Sequence, residues 1–429
     1  MTTHRTLERL LSGAFVDPDS GRALEVATDR IVIEKSIGND IPHYLTGYAF
    51  SGNVAVVSDP TTHSVLGQAV EHALSGKRRL TSIRLDDHPH ADIPTVERVE
   101  AASRDCDALI AVGSGTINDI CKYVAARSRR PYAVFATAPS MNGYVSTTAA
   151  ISVHGHKKSL PACAPSVAVF DLGILSAAPK RMIRSGLGDS LCRATAQADW
   201  LLAHLLLDTP YRTMPFALLE EDEPDLFDMA GALVSGDSQA MDSLVRTLVL
   251  SGFGTAICGS SHPASQGEHL ISHFVDMMGD SQWPAAFHGE QVGVTTISMA
   301  RLQARCLELE CPIVKAESIG HSEFSDIFGA ELADECWAEY AEKQIDEKQA
   351  ELLNARLVGS WDAVRNAVAK VAKSAGELEG VLRRAGAPVK ADDLGWPPDF
   401  YAHAVVSARL IRNRFTFLDF GAAVGVPLT

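Results

Sequence analysis

Apolar and polar residues follow two different textures along the chain. In the first half, short apolar runs recur between stretches with helical spacing: Arg30-Ile-Val-Ile-Glu-Lys, Asn53-Val-Ala-Val-Val-Ser-Asp, Thr81-Ser-Ile-Arg-Leu, Asp107-Ala-Leu-Ile-Ala-Val and Tyr132-Ala-Val-Phe-Ala. Runs that are apolar nearly throughout, joined by crossover helices, predict a parallel sheet covered on both faces, with ligands at the carboxyl ends of its strands. From about Pro179 long helical segments take over: Met182 to Leu207, Ser238 to Ser251, Ala264 to Met278 and Ala333 to Asn354. The pattern predicts an α/β domain over residues 1–178 and an all-α domain over 179–429, without a low-complexity tether.

Composition narrows the classes of partner. The 429 residues carry 38 Lys+Arg against 53 Asp+Glu, a net charge of −15, which disfavours nucleic acid and anionic membrane surfaces. No stretch approaches the roughly 18 uninterrupted apolar residues of a membrane span, and the start lacks the apolar core of a signal peptide. Eight cysteines without a CxxC pair fit reduced thiols. Together these predict a cytoplasmic protein. The acidic run from Glu220 to Asp228 reads as a solvated loop.

Candidate chemistry begins at Gly113-Ser114-Gly115-Thr116-Ile117, a glycine turn that leads from a strand into a helix. Glycines let the backbone approach an anion, and the helix start favours negative charge, so the turn suits a diphosphate; a simple tight turn would look the same. Asp59, closing an earlier strand, is placed to accept from ribose hydroxyls, or else only to cap the turn before Pro60. A carboxylate there would repel a 2′-phosphate, which favours NAD(H) over NADP(H).

In the second half, His269 and His273 stand one helical turn apart, His288 lies beside glycine at a loop-to-helix junction, and Gly186-Leu-Gly-Asp189 brings a carboxylate to a helix. Singly, Asp189 reads as a helix cap and each histidine as a core or surface residue. Collectively, two imidazoles and a carboxylate leave positions open on zinc or a similar ion, which can polarise a substrate hydroxyl or carbonyl.

Five ordered motifs resemble the sn-glycerol-1-phosphate dehydrogenases, within the iron-containing alcohol dehydrogenase and dehydroquinate synthase-like superfamily. They are Gly113-Ser-Gly-Thr-Ile-Asn-Asp-Ile, Thr137-Ala-Pro-Ser-Met-Asn-Gly-Tyr-Val-Ser, Gly186-Leu-Gly-Asp-Ser, Pro263-Ala-Ser-Gln-Gly-Glu-His-Leu-Ile-Ser-His and His288-Gly-Glu. The resemblance implies a Rossmann-like N-terminal domain, a helical C-terminal domain and a metal held by Asp189, His269 and His288. That metal would be zinc, with nickel or iron as alternatives. By the same resemblance Gly113, Ser114, Gly115, Thr116, Ile117, Thr137, Ser140 and Ser146 line the dinucleotide, and Asp59 takes its adenosine ribose. His273 contacts substrate, with Asp189 beside it, and Lys158 lies near nicotinamide and substrate. The implied reaction interconverts dihydroxyacetone phosphate and sn-glycerol 1-phosphate with NAD(P)(H), in a homo-oligomer.

One departure stands out. Where the family pattern has Met-Asp-Gly-Tyr, this chain has Met141-Asn142-Gly143-Tyr144. Asparagine removes a negative charge and adds an N–H donor. This keeps open a same-fold dehydrogenase of another phosphorylated or phosphonylated hydroxy compound. A dehydroquinate synthase-like lyase, which uses NAD internally, is a further alternative.

Overall fold

The computed structural model describes residues 5–38, 40–46, 50–153 and 156–429. Met1–His4, part of the stretch read for a leader, lie outside them. Two compact units are present: residues 1–190 with 213–260, and residues 191–212 with 261–429. The change of texture near Pro179 marks where the strands end, and the first unit runs on into helices beyond it.

The first unit is built on a six-stranded parallel sheet of order β1-β8-β5-β4-β2-β3. Its strands are β1 (Arg30–Glu34), β2 (Asn53–Ser58), β3 (Arg79–Arg84), β4 (Ala108–Gly113), β5 (Tyr132–Ala136) and β8 (Val167–Asp171). Every residue of β4, β5 and β8 is buried, whereas the edge strands β1 and β3 are mostly partly exposed. This explains why the inner strands are apolar without alternation: helices cover both of their faces. The core under the sheet gathers Val54, Val56, Ile110, Val112, Phe135 and Val169.

Five of these strands match the apolar runs read from the sequence. The sixth, β8, lies between β1 and β5, and Asp171 at its end ties the sheet together. Its Oδ2 accepts from Ile37 N at 2.9 Å, and its Oδ1 from Ile174 N at 3.0 Å. A two-stranded antiparallel hairpin, β6 (Thr148–Val153) with β7 (His156–Pro161), completes the β structure named here. Helix α1 (Gly115–Ser128) follows β4, α2 (Lys180–Leu191) carries Asp189, and α4 (Ser238–Cys258) also belongs to this unit.

The acidic run is only in part the solvated loop expected from its composition: Glu220, Glu221, Asp225 and Asp228 are exposed. Glu223–Asp228 forms a short helix, Asp222 and Glu223 are buried, and Asp222 Oδ1 meets Arg246 Nε of α4 at 2.6 Å. A buried guanidinium accounts for a carboxylate that composition alone sends to solvent.

The second unit is helical. It includes α3 (Arg193–Leu207), α5 (Gly267–Met278) and α6 (His288–Leu307). The stretch from Met182 to Leu207 is thus two helices that break at Cys192, and the one from Ala333 to Asn354 is two that break after Ala341. A continuous core of Phe274, Phe324, Phe328, Trp361, Phe417 and Phe420 holds the unit together. Five of the eight cysteines are buried, and none of the eight is in a disulfide. Among the described residues no helix is long and apolar enough to cross a membrane.

Candidate active site

In the first unit the site is built where β4 and β5 end. The parallel register sets Gly113 beside Ala136, so the turn after β4 and the segment after β5 leave the sheet together. Thr137 N donates to Gly113 O at 3.1 Å, which joins the two segments. Ser114 caps α1 through its backbone, and Ser114, Gly115 and Thr116 are half-exposed, while Gly113 and Ile117 are buried. The first-turn N–H groups of a helix lack intrahelical acceptors, so this end suits a diphosphate. Met141 lies against Gly115, where an added Cβ would come within 3.1 Å of its sulfur.

Asp189, buried in α2, is reached from the same segment: Asn142 N donates to Asp189 Oδ2 at 2.8 Å. Ser185 Oγ, one turn earlier, donates to Ser140 O at 3.1 Å. Ser140 therefore contributes its carbonyl to the fold, and the residue is half-exposed. The close approach depends on glycine. A Cβ on Gly186 would sit 1.7 Å from Pro139 O, and one on Gly252 of α4 would sit 2.7 Å from Asn142 O.

Ser146 and Asp59 do structural work as well. Ser146 Oγ lies 3.0 Å from Lys122 Nζ and 3.0 Å from Gly143 O. Lys122 is fully buried; its ammonium also donates to Gly143 O at 2.5 Å and to Thr148 O at 3.1 Å, and faces Asp119 at 3.6 Å. Burial lowers its pKa, with Asp119 opposing. Asp59 closes β2 and caps the turn Pro60–Thr62: its Oδ1 accepts from Thr62 N at 2.7 Å, with the reciprocal bond from Asp59 N to Thr62 Oγ. Lys158 is half-buried in β7, opposite Ile151 of β6.

In the second unit three imidazoles converge. His269 and His273 sit one turn apart on α5, and His288 is the first residue of α6. Ring centroids are 5.0 Å apart for His269 and His288, 5.9 Å for His269 and His273, and 6.3 Å for His273 and His288. The Nε2 atoms of His269 and His288 face each other at 3.3 Å.

Behind His269 lies a buried polar layer that spacing alone does not announce. Glu268 Oε1 lies 2.9 Å from His269 Nδ1 and accepts from Gln266 N at 2.7 Å; Oε2 lies 3.2 Å from Thr195 Oγ. Asp199 of α3 accepts from Gly267 N at 2.9 Å, and from Gln303 Nε2 and Phe417 N at 3.1 Å. Burial, with Glu268 nearby, pushes its carboxyl up to about 8. Cys192, Glu268 and His269 offer a second trio of potential ligand atoms within 4.8 Å of one another, but Cys192 Sγ already donates to Ala264 O at 3.3 Å and Glu268 is engaged as above.

Comparison with known proteins agrees with this architecture. Residues 32–179 match the family model described as iron-containing alcohol dehydrogenase. The glycerol-1-phosphate dehydrogenase [NAD(P)+] of Pyrococcus furiosus is 34% identical over 274 residues, 63% of this chain and 78% of that protein. The chain belongs to the glycerol-1-phosphate dehydrogenase family. A glycerol-1-phosphate dehydrogenase [NAD(P)+] from Geobacillus stearothermophilus is 28% identical over 425 residues, covering 97% of this chain and 98% of that one. Among solved structures, a probable glycerol dehydrogenase from Sinorhizobium meliloti shares the fold with a TM-score of 0.62 at 16% identity, over 92% of this chain and 95% of that chain.

His269 and His288 are spaced as two ligands of one ion would be. Nitrogens about 2.0–2.1 Å from one tetrahedral ion stand about 3.3–3.4 Å apart, which is the separation of the two Nε2 atoms. An N–H on His269 Nδ1 donating to Glu268 leaves Nε2 as the lone-pair nitrogen, as ligation requires. The residues present fit a divalent metal.

Proposed function

We propose that this chain is a metal-dependent, nicotinamide-linked dehydrogenase that interconverts dihydroxyacetone phosphate and sn-glycerol 1-phosphate. The observation that carries the reading is the pair of Nε2 atoms 3.3 Å apart, with His269 oriented by Glu268, in a member of this family. Asp189 would be the third ligand, as the family resemblance implies. Two nitrogens and a carboxylate leave a coordination position for substrate, and suit zinc, with nickel or iron(II) as alternatives.

Reduction delivers a hydride to the carbonyl carbon and a proton to its oxygen, so NADH and a proton are consumed as the ketone becomes the alcohol. A bound divalent ion supplies the Lewis acidity that draws charge onto that oxygen. His273, one turn from His269 and half-exposed, would carry the proton. The turn at Gly113–Ile117 would hold the diphosphate; Thr137, Ser140 and Ser146 would line the rest of the dinucleotide. Asp59 keeps Oδ2 for the adenosine ribose while Oδ1 caps the turn, which favours NAD(H) over NADP(H). Lys158 would stand near nicotinamide and substrate, and Asn142 would meet a substrate hydroxyl. The partner would be a small phosphorylated molecule, and the net charge of −15 disfavours nucleic acid and anionic membrane surfaces. Free thiols suit the reducing cytoplasm, and a homo-oligomer is the expected assembly.

The test follows reduced-nicotinamide absorbance with dihydroxyacetone phosphate and with metal-stripped protein resupplied with zinc, nickel or iron(II). Metal-restored turnover that His269→Ala abolishes supports the reading. Cofactor and metal binding without oxidation of NADH or NADPH would overturn the substrate. Asn142 favours a second reading, in which another phosphorylated or phosphonylated ketone replaces dihydroxyacetone phosphate. A lyase that recycles NAD internally would show product without net NADH change.

A further inference from the structure

His269 is held by a carboxylate whose place in the fold is fully determined. Glu268 is completely buried at the start of α5, and its Oε1 takes two contacts, Gln266 N at 2.7 Å and His269 Nδ1 at 2.9 Å. Its Oε2 faces Thr195 Oγ at 3.2 Å, and that hydroxyl also lies 3.1 Å from Cys192 O. Thr195 thus has one proton and two acceptors. The helix start is itself clamped, because Gly267 N donates to Asp199 Oδ2 at 2.9 Å. Glu268 meets His269 at Nδ1, while Nε2 of His269 faces Nε2 of His288.

We propose that Glu268 is a positioning residue for the metal: it fixes His269 in the tautomer that presents Nε2 and raises the affinity of that nitrogen for a cation. The inference rests on the metal reading above. A carboxylate behind a ligating imidazole fixes its ring and raises its basicity, and loss of such a partner costs about 10–100-fold in metal affinity. A purely structural Glu268, serving only as acceptor for the helix start, would affect folding and leave cation affinity unchanged.

Glu268→Gln separates the two roles. The amide oxygen can keep both bonds of Oε1, and the new NH2 can donate to Thr195 Oγ once that hydroxyl turns its proton to Cys192 O. Every hydrogen bond therefore has a counterpart, and the variant is expected to fold. Glu268→Ala removes the acceptor altogether. The measurement is zinc affinity of metal-stripped protein, by competition with a chromophoric chelator, for wild type, both Glu268 variants and His269→Ala, each with its thermal unfolding. The expected order is wild type, then Gln weaker by about 10–100-fold, then Ala weaker still, while Gln unfolds at the wild-type temperature. Wild-type affinity in Glu268→Gln alone overturns the gain in affinity from the carboxylate charge, and wild-type affinity in both Glu268 variants, with affinity lost in His269→Ala, overturns the role of Glu268 altogether and leaves the metal reading standing. Wild-type affinity in His269→Ala overturns both.

Discussion

The main-chain N–H of Asn142 donates to Asp189 Oδ2 at 2.8 Å, so the residue that departs from the family pattern orients a proposed ligand through its backbone and not its side chain. The two functions of that position are therefore separable. Asn142→Asp keeps the N–H and restores the carboxylate of the family pattern. A hydrogen bond to a charged group contributes about 1.5–3 kcal/mol, so kcat/KM with dihydroxyacetone phosphate is expected to rise by about tenfold or more. Zinc affinity of the stripped protein should stay at the wild-type value. Steady-state kinetics alongside metal titration checks both, and a fall in kcat/KM would point to a different ketone as substrate.

Asp189 is also placed by what is missing from its helix. The Cβ of Gly186→Ala would stand 1.7 Å from Pro139 O, a backbone atom that cannot turn aside. The segment 139–142 must shift, and with it the donor to Asp189. Overpacking typically costs about 1–3 kcal/mol, and here the strain falls on the site. Urea unfolding should show a loss of that order, and turnover should drop further than stability explains.

Much of this was legible in the chain. The inner strands β2, β4 and β5 stand out as apolar runs because covered positions exclude polar residues, and the same signature is present at Val167–Phe170, which forms β8; the edge strands β1 and β3 have fewer apolar residues because they are partly exposed. The histidines at 269 and 273 announced a shared helix face by their spacing alone. What spacing could not show is anything that depends on residues far apart in sequence. Glu268 meets Thr195 from another helix, Lys122 meets Gly143, Ser146 and Thr148, and Asp222 is buried only because Arg246 comes to it. The helix from Ser238 packs in the first unit for the same reason: its partners, among them Asn142 and Val145 beside Gly252, lie in the sheet-bearing part.

Lys122 makes a stability prediction. Its ammonium is the donor shared by Gly143 O, Ser146 Oγ and Thr148 O, and it faces Asp119 inside the unit. Lys122→Met fills similar volume and leaves a carboxylate and three acceptors without their cation. Breaking a buried pair from one side costs about 3–5 kcal/mol. Chemical unfolding should register that loss, and protection of the 143–150 amides against hydrogen exchange should fall.

Asp59 combines a cap with a proposed cofactor contact, and serine can keep only the first. Ser is among the better N-cap residues, so Asp59→Ser should unfold within about 0.5 kcal/mol of wild type, whereas Asp59→Ala loses about 1 kcal/mol with the bond to Thr62 N. Both remove the carboxylate that would oppose a 2′-phosphate. The ratio of kcat/KM for NADPH over NADH is expected to rise in each variant alike, independently of stability.

His262 gives the pH dependence a definite sign. It is half-buried against Trp200, with ring centroids 5.7 Å apart, and burial followed by the Arg414 guanidinium lowers its pKa to about 4 from 6.5. Arg414 cannot move away, since it donates to Ser265 O in the same loop and to Ser261 Oγ at 3.2 Å. Folded protein therefore binds fewer protons than unfolded chain between pH 4 and 6.5. Stability from this group is complete above pH 6.5 and is lost as pH falls towards 4. Discounted for the ring's partial exposure, the loss is on the order of 1–2 kcal/mol. His262→Gln removes the titrating ring, so the stability difference between wild type and variant should shrink on acidification from pH 7 to 4.5. Urea unfolding at both values measures it, and a difference that stays constant or widens would show that the ring takes up its proton in the folded state.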